Sequence, residues 1–446
     1  VDADIAGLCM TSRPVQLAVI SIAGYGLALL TNLLLSNMLG TELFGDYQVA
    51  FALLSLLASL SLSGTDMVAS RYLPTMRKTV NLEGIRAYCA WNRSRIRFGF
   101  SIILAVYAVF LAIALATHLA DYKRFEEYHL AFHSIWIAPI AALSLLTDRY
   151  LVASGYPRTG SILGSLALHL VLLFCVAAAV YGLRLSVSSS SVMIGILVVS
   201  FVFLGLLHAV IFRTVEPEIY GAWWTPARGA SPEHHRAWSR TSNRMLIMRV
   251  NSLMLWHLDL FIVEIASPNE AATSLYAAVL LVVRIMQLIP TTISFMIRPL
   301  CGAAADDRSQ CPKLQKAINE SNAVVLGICS LLLVGMLIGG HFILNAFGPG
   351  FSEATTALAM VAAGAFIEAL TRQSLVILQT MGHEQVATRI STVSLVIVLG
   401  GGFIATYLFS YNGMAAVTGL VLAGKGLISY AFARRRLPEI RPLSVI

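Results

Sequence analysis

Arg249, Asp259, Glu264 and Arg284 lie inside two long apolar runs between Arg244 and Pro299. A charge at the centre of a bilayer costs at least about 2.5 to 3.5 kcal/mol on insertion scales, so such groups face a partner or a water-filled cavity. An arginine there offers charge-assisted hydrogen bonds to phosphate or carboxylate oxygens. A carboxylate in the same surroundings can take up a proton or a cation. The chemistry available is anion recognition beside titratable acids.

Helical spacing extends this set. Arg284, Gln287, Thr291, Ser294 and Arg298 follow one another at intervals of 3, 4, 3 and 4 residues, which confines them to an arc of about 80°. In the first apolar run Ser21, Tyr25, Asn32 and Ser36 share a face, and in the second Gln48, Ser55, Ser59, Asp66 and Ser70 do so. In the seventh run Arg249, Ser252, Trp256 and Asp259 occupy one side, with Glu264 farther round. Helices one, two, seven and eight are the expected cavity walls, although hydroxyl stripes also serve plain helix packing. In the tenth run Glu368 and Arg372 are four residues apart and can pair. The candidate substrate contacts are Arg284, Arg249, Gln287, Asn32 and Arg372; the candidate ion-coupling groups are Asp259, Glu368 and Glu264. Asp148 and Arg149 adjoin in the fourth run, and Lys425 stands alone in the twelfth, where it can reach toward an interface. His169 and His208 read as hydrogen-bonded packing residues.

The elements that hold these groups follow from composition. The chain has 446 residues, 57% hydrophobic and 12% charged, whereas a soluble domain has about 25% charged residues. Membrane spans need about 20 apolar residues each. Such runs fall at 14–38, 47–70, 97–119, 130–154, 158–182, 190–212, 244–266, 274–298, 322–346, 354–380, 386–409 and 412–433. The fold class is therefore all-α, a polytopic membrane protein of about twelve helices. The run after Pro14 is too long for a signal-peptide core and reads as an uncleaved first helix.

The net charge of +8 reflects sidedness rather than nucleic-acid binding. Alternate loops hold most of the arginines and lysines, which puts both termini in the cytoplasm. Cys9, Cys89, Cys175, Cys301, Cys311 and Cys329 form no C-x-x-C and no zinc spacing, so neither metal nor cofactor is expected. A phosphate-binding glycine loop, an H-E-x-x-H and a nucleophile elbow are all missing from the sequence. The expectation is a non-enzyme; a membrane glycan polymerase or acyltransferase would have to use His118, Asp121, Glu126, Glu127 and His129 in the loop 118–130.

Two connections are long. In 71–96, Leu82, Ile85, Cys89 and Ile96 alternate with Arg86, Arg93 and Arg97, which suits either an amphipathic helix on an anionic leaflet or a solvated basic loop. The stretch 213–243 carries Pro217, Pro226 and Pro232 with Trp223, Trp224 and Trp238, an interfacial cytoplasmic linker between an N-terminal bundle, 1–212, and a C-terminal bundle, 244–446. The turn SGYPRTGS at Gly155 is followed, after about half the chain, by the similar MGHEQVAT at Gly382. Arg71 and Arg298 close their helices at the same offset, and Tyr47 and Tyr276 open theirs at nearly that offset. These correspondences point to duplicated six-helix bundles in parallel orientation.

The sequence also resembles a family. LLSNMLGTELFGDYQVAFALLSLLASL, DLFIVEIASPNEAATSLYAAVLLV, FGPGFSEATTALAMVAAGAFIEALTRQSLVILQTMGHEQVATRI from Phe347, and YNGMAAVTGLVLAG are similar to stretches of the Wzx-type polysaccharide flippases. That family belongs to the superfamily of multidrug and toxin extruders and peptidoglycan lipid-intermediate flippases. The resemblance implies two six-helix bundles around a central cavity lined by helices one, two, seven and eight. It implies a polyprenyl-diphosphate-linked oligosaccharide as cargo, flipped from the cytoplasmic to the outer leaflet of the inner (plasma) membrane, with H+ or Na+ as a coupling ion. Asp259 matches the family's acidic position, while Ser267-Pro268-Asn269 departs from its usual glycine-containing turn. A cation-coupled multidrug or metabolite antiporter of the same superfamily is the alternative.

Overall fold

The computed structural model describes residues 2–79, 81–119, 129–187, 189–225, 232–269 and 271–444; the loop acids and bases expected between 120 and 128 lie outside them. The described residues are helical, with no strand among them. The first half runs α1 (Asp2–Ser61), α2 (Thr65–Lys78), α3 (Leu82–Leu119), α4 (His129–Ser134), α5 (Ala138–Ala153), α6 (Pro157–Ile162), α7 (Leu168–Ala177), α8 (Ser190–Val215) and α9 (Pro217–Trp224). The second half continues with α10 (Pro232–Ala266), α11 (Ala272–Asp306), α12 (Cys311–Asn345), α13 (Thr355–Thr380) and α14 (Glu384–Arg436).

Nine helical stretches among the described residues are long and apolar enough to cross a membrane. The stretch Val19–Ser61 has 43 residues, about 65 Å of helix against about 30 Å of hydrocarbon, and it is broken at Gly40 (φ 75°). Helix α14 is broken at Ser410 (φ 54°). There the chain reverses: a Cβ on Gly413 would overlap the Ala405 carbonyl oxygen, and one on Gly402 would meet the Met414 sulfur. Each of these two helices supplies two crossings. Helix α10, bent by 40° between Asn251 and Leu253, adds one more, which brings the total among the described residues to twelve.

Positive φ angles recur at the offset read from the sequence. Gly155 and Gly382 have φ of 97° and 86° in the two similar turns. Arg184 and Ser410, separated by almost the same length of chain, are both left-handed at φ 53° and 54°. Such angles are uncommon away from glycine, so two non-glycine examples at this spacing are in keeping with a repeat.

By packing, the chain divides into two compact units. One comprises Val1–Pro14, Asn32–Gly45 and Met254–Ile446; the other comprises Val15–Thr31 and Asp46–Leu253. In the first unit the rings of Phe44, Phe347 and Phe351 pack with centroids 5.9 to 6.4 Å apart. Asn37 donates to the Ala346 carbonyl at 2.8 Å, and the Ser274 hydroxyl donates to the carbonyl of Thr41. Residues 32–45 are thus stitched to α11 and to the end of α12.

In the second unit two expectations are corrected. The stretch 71–96 is neither a leaflet-bound helix nor a solvated loop. Helix α2 extends to Lys78, and α3 already begins at Leu82. Ile85, Tyr88, Cys89, Trp91 and Ile96 are buried while Leu82 is exposed, and the start of α10 packs Trp238 against Tyr88 and Trp91. Tyr88, Trp91 and Trp238 form a cluster with centroids 5.3 to 5.6 Å apart. Trp91 Nε1 donates to Ser239 Oγ at 3.2 Å, Ser242 Oγ donates to the Ser63 carbonyl at 2.6 Å, and Arg95 bonds Asn243. From the linker after residue 232, Trp238 and Ser242 are thus buried in this unit while the residues around them stay largely exposed, and α9 is tied down by Arg93, which donates to the Trp223 and Thr225 carbonyls.

The polar stripe of the second span is also interrupted. Helix α1 ends at Ser61, and Ser63 (φ 50°) and Gly64 (φ 77°) turn the chain before Thr65. Asp66 consequently sits in the first turn of a new helix rather than on the face of Ser55 and Ser59. The hydroxyls of Ser55, Ser61 and Ser70 donate to carbonyls of their own helix, a common use for hydroxyls in apolar surroundings.

Candidate functional site

In the first unit, Asp259 on α10, Tyr276 on α11 and Thr418 on α14 meet in the interior, all three buried. The Tyr276 hydroxyl donates to Asp259 Oδ2 at 3.0 Å and lies 2.8 Å from Thr418 Oγ1. Asp259 Oδ1 accepts from the Leu260 N–H at 2.9 Å. The carboxylate therefore has a donor on each oxygen, which is how a buried acid is kept in place.

Arg284 lies two turns beyond Tyr276 on α11. Its guanidinium donates to the Trp256 carbonyl at 3.1 Å and sits over the Trp256 indole, 5.3 Å from the ring centroid. It acts electrostatically on Asp259. One of the five N–H donors of an arginine is engaged, and the rest have no acceptor among the described residues. The result is a half-buried cation held in position by an aromatic face, with donors to spare for an anion.

A second ionic group in this unit joins α13 to α14. Arg372 Nη1 is 2.6 Å from Glu368 Oε1, and Lys425 Nζ is 3.5 Å from the same oxygen. Glu368 Oε2 is buried with no partner among the described residues. The expected pairing of Glu368 with Arg372 is present. Lys425 is not alone, because α13 and α14 cross too closely for it to escape to an interface. A Cβ on Gly364 would overlap the Gly419 carbonyl oxygen, and one on Gly426 would overlap Thr371 Oγ1.

Of the other candidates in this unit, Asn32 is buried, while Gln287 and Glu264 are half-buried. Arg249 belongs to the second unit. Helix α10 bends by 40° between Asn251 and Leu253, between Arg249 on one side and Trp256 and Asp259 on the other. The electrostatic neighbours of Arg249 are Asp66 and Arg149, and its Nε has no acceptor among the described residues. Asp148 pairs across helices with His208, Oδ1 to Nε2 at 3.0 Å, rather than with the adjacent Arg149. The other ring nitrogen of His208 is 2.7 Å from the Leu204 carbonyl, so both ring nitrogens have partners. The second unit also holds an apolar cleft of about 350 Å³ between α5, α8 and α9, lined by Leu143, Tyr150, Leu206, Phe212, Trp223 and Trp224 among others.

Three participants escape a reading of the sequence alone. Tyr276 reads there as a helix start and not as the donor to Asp259. Thr418 and Lys425 sit in an apolar run whose periodicity does not reveal which face meets α11 or α13. Among the described residues no group of three or more His, Cys, Asp or Glu is arranged to hold a metal ion.

No protein-family model matches the sequence, and no curated protein matches it. The fold, by contrast, is shared with solved transporters. The chain is similar to an inward-facing multidrug resistance MATE family transporter of the MOP superfamily, at TM-score 0.70 and 14% identity, over 96% of this chain and 98% of that one. It is also similar to the lipid II flippase MurJ in an inward closed conformation, at TM-score 0.66 and 12% identity, over 95% and 87%. A third neighbour is a MOP superfamily transporter from Pyrococcus furiosus, described as having a binding pocket of reverse polarity, at TM-score 0.62 and 13% identity, over 95% of each chain. These likenesses define the class by fold: an all-helical, multi-pass membrane protein with the architecture of that transporter superfamily.

Proposed function

We propose that the protein is an alternating-access transporter that flips a polyprenyl-diphosphate-linked oligosaccharide from the cytoplasmic to the outer leaflet of the inner membrane. The observation that carries this reading is Arg284, a half-buried guanidinium fixed by Trp256 with unspent donors. A diphosphate is one of the anions, with carboxylates, that such a fork recognises bidentately. Gln287, Asn32 and Arg372 are the accompanying contacts proposed in the same unit, and Arg249 offers the same chemistry in the other. The glycan occupies hydrated space, and the polyprenyl tail stays among membrane lipids. Asp259 is the proposed coupling carboxylate for H+ or Na+, with Glu368 and Glu264 as the further acids. A coupling ion acts through different affinities for the inward and outward states, and Tyr276 and Thr418 bring helices α11 and α14 to the carboxylate. The fold likeness to a lipid II flippase is in keeping with a lipid-linked cargo.

Proteoliposomes carrying a fluorescent lipid-linked oligosaccharide test this. Wild-type protein moves the lipid between leaflets, and R284A slows it at least tenfold, the equivalent of about 1.4 kcal/mol. If R284A and R249A both flip the lipid at the wild-type rate, the anion site is wrong. A second reading, a cation-coupled drug or metabolite antiporter, is favoured by the buried Asp259 and by the fold likeness to a multidrug resistance transporter, and it leaves Arg284 without a task. Drug-resistance growth assays that depend on Asp259 and not on Arg284 would select it.

A further inference from the structure

Two cations share one oxygen of Glu368. Arg372 is at 2.6 Å and Lys425 at 3.5 Å, while the second oxygen has neither. The side chain of Glu368 is 3% exposed, that of Lys425 14% and that of Arg372 23%. Arg298 adds a further positive charge within electrostatic range of Arg372. The triad therefore carries a net positive charge. Its more accessible cation makes one hydrogen bond among the described residues, out of five possible donors.

A buried ion pair that loses one partner leaves an uncompensated charge, which is strongly unfavourable. A lone Glu368–Arg372 pair would therefore hold its arginine firmly. With Lys425 beside the carboxylate the situation differs: Arg372 can leave Glu368 without orphaning it. Lys425 cannot follow easily, because the close crossing of α13 and α14 at Gly364–Gly419 and Gly426 pins its helix against Glu368.

We propose that Glu368, Arg372 and Lys425 form an anion-exchange point, in which Glu368 is a tethered competitor for Arg372 and Lys425 is the resident cation that permits the exchange. An incoming phosphate oxygen takes the Arg372 guanidinium, and Glu368 falls back on Lys425. This rests on the anionic cargo of the proposed function and deepens it. It changes the role of Glu368 from coupling acid to internal counter-anion, and it assigns a role to Lys425.

The test is titration of the purified full-length protein in detergent with geranyl diphosphate at fixed ionic strength, with geraniol as the uncharged control. E368Q removes the competitor and tightens diphosphate binding at least about threefold. K425M removes the resident cation and weakens binding about tenfold or more. The double variant E368Q/K425M, two neutral side chains of similar volume, binds at least as well as wild type, and adding R372Q to E368Q abolishes the gain. Thermal denaturation of every variant accompanies the titrations, and the double variant supplies the reading if a single one does not fold. A merely structural triad moves E368Q and K425M in the same direction. Weaker binding by E368Q, or unchanged binding by K425M, overturns the exchange. If R284A loses binding while the triad variants match wild type, the anionic-cargo reading stands and the exchange is rejected. If wild type binds geranyl diphosphate no better than geraniol, the cargo reading fails and takes the exchange with it.

Discussion

Replacing Tyr276 with phenylalanine deletes one oxygen from the centre of the first unit and nothing else. That oxygen is the donor to Asp259 Oδ2 at 3.0 Å and the neighbour of Thr418 Oγ1 at 2.8 Å. A hydrogen bond to a charged group contributes about 1.5 to 3 kcal/mol in soluble proteins. Within membranes the unfolded reference also finds partners, and interhelical bonds average about 0.6 kcal/mol with a maximum near about 1.7 kcal/mol. Asp259 keeps its Leu260 N–H, so it does not become wholly unsatisfied. Where those two ranges meet, the expected loss for Y276F is about 1.5 kcal/mol, roughly a tenfold shift in the unfolding equilibrium. Equilibrium unfolding in mixed detergent micelles measures it, and a double-mutant cycle with D259N isolates the pair. The cycle should return a coupling of about 1 kcal/mol, as contacting residues do, and a second cycle with T418V about half of that. A Y276F variant that unfolds like wild type, or one strictly additive with D259N, would refute the view that this hydroxyl joins the three helices.

Three further outcomes are expected. Gly364→Ala places a Cβ on the Gly419 carbonyl oxygen, and separating α13 from α14 to relieve it costs about 1 to 3 kcal/mol, read as a lower melting temperature; Gly400→Ala, whose Cβ meets nothing within 4 Å, serves as a control that changes little. Trp238→Ala removes a buried ring from the Tyr88–Trp91 cluster and costs about 3 to 5 kcal/mol, read as a lower melting temperature. Arg77→Ala strips the buried Glu216 carboxylate of a guanidinium at 2.5 Å, a loss of about 1 to 2 kcal/mol because Arg77 itself is partly exposed; E216Q in the same background recovers part of the melting temperature.

The fold class is legible because a bilayer imposes a long, uniform signal: every span is an apolar run, and the arginine-rich loops alternate. What the pattern leaves out are the chain breaks and the partners. A face drawn through Ser55, Ser59 and Asp66 assumes one straight helix, and the turn at Ser63 and Gly64 is too short to interrupt hydropathy. The bend after Asn251, inside the run that carries Arg249 and Asp259, is equally silent in the sequence, because no proline announces it. Pairings on one helix, such as Glu368 with Arg372, follow from a spacing of four residues. Pairings between helices, such as Lys425 with Glu368 or Asp148 with His208, depend on which glycines let two backbones approach, and a single sequence does not say which glycine meets which. The basic stretch before Ile96 misleads for a related reason. Its apolar face can be drawn from spacing, but the aromatic cover supplied by Trp238 comes from a segment far along the chain.

The membership of the two packing units has a practical corollary for anyone dividing the molecule. Cutting the chain between α9 and α10, at the proline-bearing midpoint, does not yield two self-sufficient halves. The front fragment would carry off residues 32–45, whose Phe44, Asn37 and Thr41 complete the rear unit. The rear fragment would carry off residues 232–253, whose Trp238, Ser239 and Ser242 close the core of the front unit. Each piece holds a part that the other needs, so the fragments must be made together to fold. A nick at that place in the intact protein would leave both cores whole.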